Sequence, residues 1–207
     1  SEFEPSGAVR NQLGGEQVTF SYFGSLYSGR SPESYLHAWS NVVSRLPESL
    51  RNRIVIQFIG NSGYTEAGHL VTRFGLGEYV DFRPSMDKRA AFEAMKASTV
   101  LVSLQGPEYV YAISAKVYDY LMTQRPILAI VPTDGCEAKL LLKFPGTFLA
   151  DPGNIGQIEE AINNVLSMIW SGKSLIRDPD ALEPLTQRAL AHRFHSIFLQ
   201  VKEKSGS

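Results

Sequence analysis

A lysine and an aspartate three residues apart, Lys116 and Asp119, carry the clearest chemical possibility in this 207-residue chain. They lie in ISAKVYDYLMTQRPILAIVP, residues 113–132, where Ser114 reads as a helix N-cap and Pro126 forces the helix to end. Residues three apart share a helix face. An ammonium on that face can neutralise a diphosphate, and a carboxylate one turn on can accept two hydrogen bonds from the vicinal hydroxyls of a ribose. The same two residues would equally serve as an exposed ion pair worth about 0.3–0.5 kcal/mol. A second candidate lies in YFGSLYSGRSPE. Gly24 at a strand end admits close approach by backbone or ligand, and Arg30 precedes a helix start, where an anion could sit. A tight turn with a solvated arginine explains that stretch as well.

These residues need elements to hold them, and the chain alternates two hydrophobic periods. Val18–Gly24, Ile54–Ile59, Val80–Phe82, Thr99–Leu104, Ile127–Val131 and Thr147–Leu149 are short apolar runs of strand character. Between them, helical spacing recurs over Leu36, Trp39, Val43 and Leu46, then over 65–74, 87–97, 115–123 and 135–144. Ser31 caps the first of these helices, with Pro32 in its first position, and Asn154 caps a long one through Ile169. Six strands alternating with helices predict an α/β, Rossmann-like parallel sheet covered on both faces. A C-terminal amphipathic helix is expected over 185–203, with Leu190, Phe194, Ile197 and Val201 on one side. Ligands of such sheets bind beyond the carboxyl ends of the strands, so the loops after Gly24, Gly60, Phe82, Leu104 and Val131 are where function should sit.

Composition narrows the classes. Hydrophobic residues make up 43% and charged residues 20%, enough apolar surface for a core and too much for disorder. Twenty basic against 21 acidic residues leave a formal charge of −1, which gives no bulk attraction to nucleic acid. No run approaches the roughly 18 apolar residues that span a bilayer. The single cysteine, Cys136, rules out an intrachain disulfide and a cysteine-rich zinc site. Residues 1–17 read as a flexible tail or cloning remnant, 18–170 as the ligand-binding domain, and 171–207 as a connector with the last helix. Both ends look cut, so a piece of a longer protein is expected.

Several other patterns read as structural. Asp178-Pro179-Asp180 sits in a proline-containing connector. Gly60-Asn61-Ser62-Gly63 lacks the G-x-G-x-x-G register of dinucleotide binders. His192 and His195 have no third ligand, and Cys136 has no paired base.

The segment 113–132 resembles the donor-binding signature of the GT-B glycosyltransferases of group 1, P-S-K-x-Y-E/D-Y-L-A-x-G-R/K-P-I-L-A. Lys116, Tyr118, Asp119, Tyr120, Leu121, Arg125, Pro126, Ile127, Leu128 and Ala129 match it. The opening G-S-L-Y-S-G-R, the stretch VDFRPSMDKRAAFEAMKASTVLVSL, and the later TDGCEAKLLL and DPGNIGQIEEAINNVL are similar to further parts of the same domain, in order, over about residues 18–170. The resemblance implies the C-terminal, nucleotide-sugar-binding half of such an enzyme. It implies that Asp119 holds the ribose, that Lys116 and Ser114 line the donor site, that Gly24 and Arg30 approach the diphosphate, and that Arg83 and Pro84 border the base. It further implies a nucleoside diphosphate sugar as substrate, no metal or other cofactor, a missing N-terminal domain that holds the acceptor, no nucleic-acid partner, and a cytoplasmic setting where relatives find activated sugars. The chain also departs from the pattern. Relatives carry a sugar-contacting glutamate eight residues before the ribose acid, and here that position is Tyr111, with Glu108 the nearest carboxylate. Ala115 stands where the signature has serine, and Gln124 where it has glycine. These departures leave open a catalytically silent nucleotide-sugar binder or assembly partner. An unrelated Rossmann-like regulator such as a receiver would need acidic strand ends, which Gly24, Gly60 and Leu104 do not supply.

Overall fold

The computed structural model describes residues 17–60, 64–173, 175 and 177–185. The chain up to residue 175 forms one compact unit and the chain from residue 176 a second. Six strands form one sheet: β1 (Val18–Phe23), β2 (Ile54–Gly60), β3 (Val80–Pro84), β4 (Val100–Leu104), β5 (Ile127–Ile130) and β6 (Thr147–Ala150). All neighbours are parallel, in the order β3-β2-β1-β4-β5-β6. Every residue of β2, β4 and β5 is buried, which explains their nearly unbroken apolar sequence.

The helices are α1 (Glu33–Arg45), α2 (Glu48–Arg51), α3 (Tyr64–Arg73), α4 (Lys88–Ala97), α5 (Ala115–Met122), α6 (Cys136–Leu141) and α7 (Ile155–Trp170). The sheet grows one way from β1 to β3 and the other way from β4 to β6. Right-handed crossovers therefore put α1 and α3 on one face and α4, α5 and α6 on the other. The last long helix among the described residues, α7, returns to the first face and packs on α1. There Trp39 meets Phe20 edge-on, with centroids 4.7 Å apart, and Phe58 stacks on Phe82 at 5.5 Å. Removing an aromatic as buried as Trp39 would cost about 3–5 kcal/mol.

Helix starts follow short polar side chains. Asp87 accepts from the N–H groups of Arg89 and Ala90, and Asn154 accepts from that of Gln157. At α1 the cap position is Pro32 rather than Ser31. The Ser31 hydroxyl still accepts weakly from Glu33 N–H at 3.3 Å, so the expected start is one residue early. In the second unit a short helix, α8 (Pro179–Leu182), occupies the stretch read as a plain connector. Asp178 accepts from Asp180 N–H at 3.0 Å, and the proline stands at the first helical position it favours. The C-terminal helix expected over 185–203 lies, beyond residue 185, outside the described residues, as do His192, His195 and the tail before Gln17. Among the described residues, no helix is long and apolar enough to cross a membrane.

Among the described residues, one non-glycine backbone position is strained. Gln124, just after α5, has φ 61°, a left-handed conformation that costs a residue with a Cβ about 1–2 kcal/mol. Part of that would be returned by the greater freedom of an unfolded glycine. The expected outcome for Gln124→Gly is a gain of about 1 kcal/mol, a Tm rise of about 2–4 °C in a thermal melt.

Candidate functional site

The sheet changes direction between β1 and β4, and their carboxyl ends open the crevice in which ligands of this architecture lie. The ladder between β1 and β4 ends at Tyr22 paired with Val102, so Phe23 N–H, the last of β1, has no strand partner on that side. The Tyr120 hydroxyl of α5 accepts it at 3.2 Å, with the two rings packed edge to face at 6.4 Å. Gly24 N–H then bonds Ile59 carbonyl at 2.9 Å, bringing the β1 loop onto Gly60. A Cβ at Gly60 would sit 2.7 Å from the Gly24 carbonyl carbon and overlap its oxygen, so only glycine fits there.

Beside this contact is a cavity of about 120 Å³, lined by Gly24, Ser25, Gly60, Ser85, Met86 and Lys116, among others. Lys116 is the second residue of α5, half-buried, with no anionic partner. Asp119 lies one turn on, half-buried, and accepts no hydrogen bond, but it does not line this cavity. Arg83 and Pro84 are exposed at the end of β3, where Pro84 pairs with Gly60. The Arg83 guanidinium is drawn to Asp81, with Nε 2.7 Å from Oδ2, and the following residues, Ser85 and Met86, form the wall.

The other candidates gather on the β4 side. Gly106 N–H donates to Gly29 carbonyl at 2.8 Å, and the Tyr109 ring covers Gly29 so closely that a Cβ there would lie 2.5 Å from its hydroxyl. Arg30 ends a short 3-10 turn, Ser28–Arg30, with its guanidinium 5.3 Å from the Tyr27 ring centroid. Its Nε is buried and unpartnered, and it lines neither cavity described here. Glu108 is exposed and folds back against Gly106. It lines a second cavity of about 380 Å³ with Ser31, Ser34, His37 and Gln105. The structure thus brings Gly24 and Lys116 to one cavity, sets Glu108 at another, and leaves Arg30 and Arg83 engaged with the protein's own aromatic and acidic groups.

Ser114 is the N-cap residue of α5, but its side chain caps nothing. Its backbone N–H donates instead to Oε2 of Glu137, at 2.7 Å. Glu137 stands in the first turn of α6 and is 1% exposed. The same Oε2 accepts from Gln105 Nε2 at 2.6 Å, and Oε1 accepts from the Ser103 hydroxyl at 2.6 Å. Burial pushes the Glu137 carboxyl above its ordinary 4.5, while the bonds from Ser103 and Ser114 and the positive charge of Arg30 oppose the rise. Burial likewise raises the Tyr22 and Tyr120 hydroxyls, and the negative charge of Glu137 adds to both shifts. Sequence inspection passes over Glu137, because an acid in a helix's first turn is ordinarily an exposed partner of the helix dipole. The closest sequence sign is its place two residues after Gly135, at the carboxyl end of a strand.

The geometry can be set beside known proteins. No family model matches the sequence, and no curated protein matches it. Solved structures do. The C-terminal domain of the group 1 family glycosyltransferase LpcC from Francisella tularensis superposes with a TM-score of 0.58 at 13% identity, covering 84% of this chain and 83% of that one. The fold is that of a glycosyltransferase C-terminal domain. WaaG, a glycosyltransferase involved in lipopolysaccharide biosynthesis, aligns at TM-score 0.62 and 18% identity over 88% of this chain and 45% of its own. Anabaena HepE, solved in complex with UDP-glucose, aligns at 0.57 and 17% over 92% and 49%. This chain therefore spans less than half the length of those two proteins.

Two outcomes follow from the contacts. Gly60→Ala should lower stability by about 1–3 kcal/mol, read from the urea midpoint, because the obstacle is backbone and cannot rotate away. For Glu137, the raised carboxyl binds its proton more tightly in the folded chain than in the unfolded one. That contribution to stability is whole below about pH 4.5 and is lost as pH rises through the raised value. The stability of the parent minus that of Glu137→Gln, compared at each pH so that other groups cancel, should fall as pH rises above about 4.5. A difference that rises would contradict the assignment.

Proposed function

We propose that this chain is the donor-binding half of a glycosyltransferase, which moves a sugar from a nucleoside diphosphate to an acceptor held by an N-terminal domain. The observation that carries this reading is Lys116: an unpaired, half-buried ammonium in the leading turn of α5, lining a cavity with Gly24 at the carboxyl ends of parallel strands. Isolated cations are costly to hold in such a place without an anion to meet, and a diphosphate is the anion that a sugar donor supplies. Asp119, also unpaired, is one turn away for the ribose hydroxyls. In transfer, the bond between the anomeric carbon and the diphosphate oxygen breaks. Lys116 and the N–H groups of the β1 loop then stabilise the charge that collects on the departing diphosphate, a scheme that works without a metal. A cavity of about 120 Å³ is smaller than the several hundred Å³ of a complete small-molecule site, which fits a cleft closed by a second domain. The proposed setting is the cytoplasm, where the activated sugar would be available.

A second reading, a nucleotide-sugar binder without transferase activity, is favoured by Tyr111. It stands eight residues before Asp119, where the resembled signature has an acid, and is 91% exposed. Incubating the full-length protein with radiolabelled donor separates the two, since only the first consumes it.

The binding claim is tested by thermal melts of the full-length protein with UDP, GDP, dTDP and CMP. A nucleotide at 100 times its Kd should add about 2.7 kcal/mol, a rise of several degrees. Lys116→Ala and Asp119→Ala should each remove most of that rise while leaving the ligand-free melt within about 1 °C. If none of the four nucleotides raises the melt, the donor-site reading is wrong.

A further inference from the structure

We propose that Glu137 is the positioning residue of this site, a buried clasp that sets where the leading turn of α5 presents Lys116. The inference rests on reading the cavity beside Lys116 as the donor site. The β4–α5 connection leaves the strand at Gln105 and re-enters regular structure at Ser114. One oxygen, Oε2 of Glu137, accepts from Gln105 Nε2 at 2.6 Å and from Ser114 N–H at 2.7 Å, so both ends of residues 106–113 are tied to a single atom. The other oxygen takes the Ser103 hydroxyl, inside β4 itself. The middle of the loop is held from the same turn of α6, because Cys136 N–H donates to Val110 carbonyl at 2.7 Å. Gly135 permits this approach, since a Cβ there would lie 3.1 Å from the Val110 oxygen.

The clasp replaces what a cap would do. The Ser114 side chain makes no bond to the helix, and an eight-residue helix has little independent stability. The direction in which α5 starts is therefore set from α6, through Glu137. Lys116 is two residues from the clasped N–H, within the same turn. Glu137 itself does not line the cavity.

An amide can reproduce the arrangement. In Glu137→Gln, the carboxamide oxygen can take Gln105 and Ser114 while its NH2 donates to the Ser103 oxygen, the hydroxyl turning round. Glu137→Ala leaves all three donors unpaired. The experiment compares the parent, Glu137→Gln, Glu137→Ala and the milder Gln105→Ala as full chains, at a temperature where each is folded by its melt. Backbone amide exchange is read by mass spectrometry, and UDP affinity by calorimetry. The expected result is a tenfold or greater acceleration confined to residues 105–117 in Glu137→Ala, a smaller one in Gln105→Ala, and parent-like exchange in Glu137→Gln. The Kd for UDP should rise about tenfold in Glu137→Ala and return to the parent value in Glu137→Gln. Exchange that is unchanged over 105–117, that accelerates evenly across the sheet, or that is as fast in Glu137→Gln as in Glu137→Ala overturns the clasp. So does a UDP Kd that ignores the alanine variant. Should Glu137→Ala not fold, Gln105→Ala decides by the same two readings. A parent that binds none of UDP, GDP, dTDP and CMP, but whose variants show the expected local exchange, counts against the donor reading and leaves the clasp standing.

Discussion

Two polar contacts, one at the start of α5 and one near its end, tie down the helix that carries Lys116. At its start, the Ser114 N–H is taken by the Glu137 carboxylate, and near its end the Tyr120 hydroxyl accepts the N–H of Phe23, the last residue of β1. Each satisfies a buried donor that would otherwise cost about 1–3 kcal/mol. Together they join α5 to β4 at one end and to the β1 loop at the other, the two strands between which the sheet reverses. A helix this short does not hold its own direction, so these tertiary ties, with the packing of Val117 and Leu121, do so.

Charge is distributed around the same point. Glu137 is buried among donors, and Arg30 bears on it from the β1 loop, partly offsetting the rise that burial imposes. Arg30 also bears on Tyr22, whose hydroxyl donates to Ser25 carbonyl at 3.0 Å beside the cavity. Among the described residues, Arg30 thus lowers both groups through its positive charge without forming an ion pair, while Lys116 has no anionic partner.

Much of the fold was legible in the chain. Strands such as Ile54–Gly60 are β-branched and apolar throughout because both sheet faces are covered, and that pattern survives in any context. Asn154 announced its helix because a cap bonds its own next residues. Errors fell where local rules compete. Ser31 and Pro32 both favour a helix start, and the chain resolved the choice by one residue. Gln124 adopts the left-handed conformation that glycine would take at no cost, because the turn into β5 demands it whatever residue stands there.

The sequence by itself determined the alternation of strands and helices, the parallel sheet they imply, and the placing of Lys116 and Asp119 on one short helix. Each of these depends on neighbours within a few residues, which is the range over which periodicity and capping act. Only the tertiary structure decided that Lys116 meets Gly24 across a cavity, and that Glu137 holds both ends of a loop 23 and 32 residues earlier in the chain. Those pairings join residues that are far apart in sequence. They arise from strand order and crossover hand, and a carboxylate in a helix's first turn looks the same along the chain whether it faces water or closes a clasp.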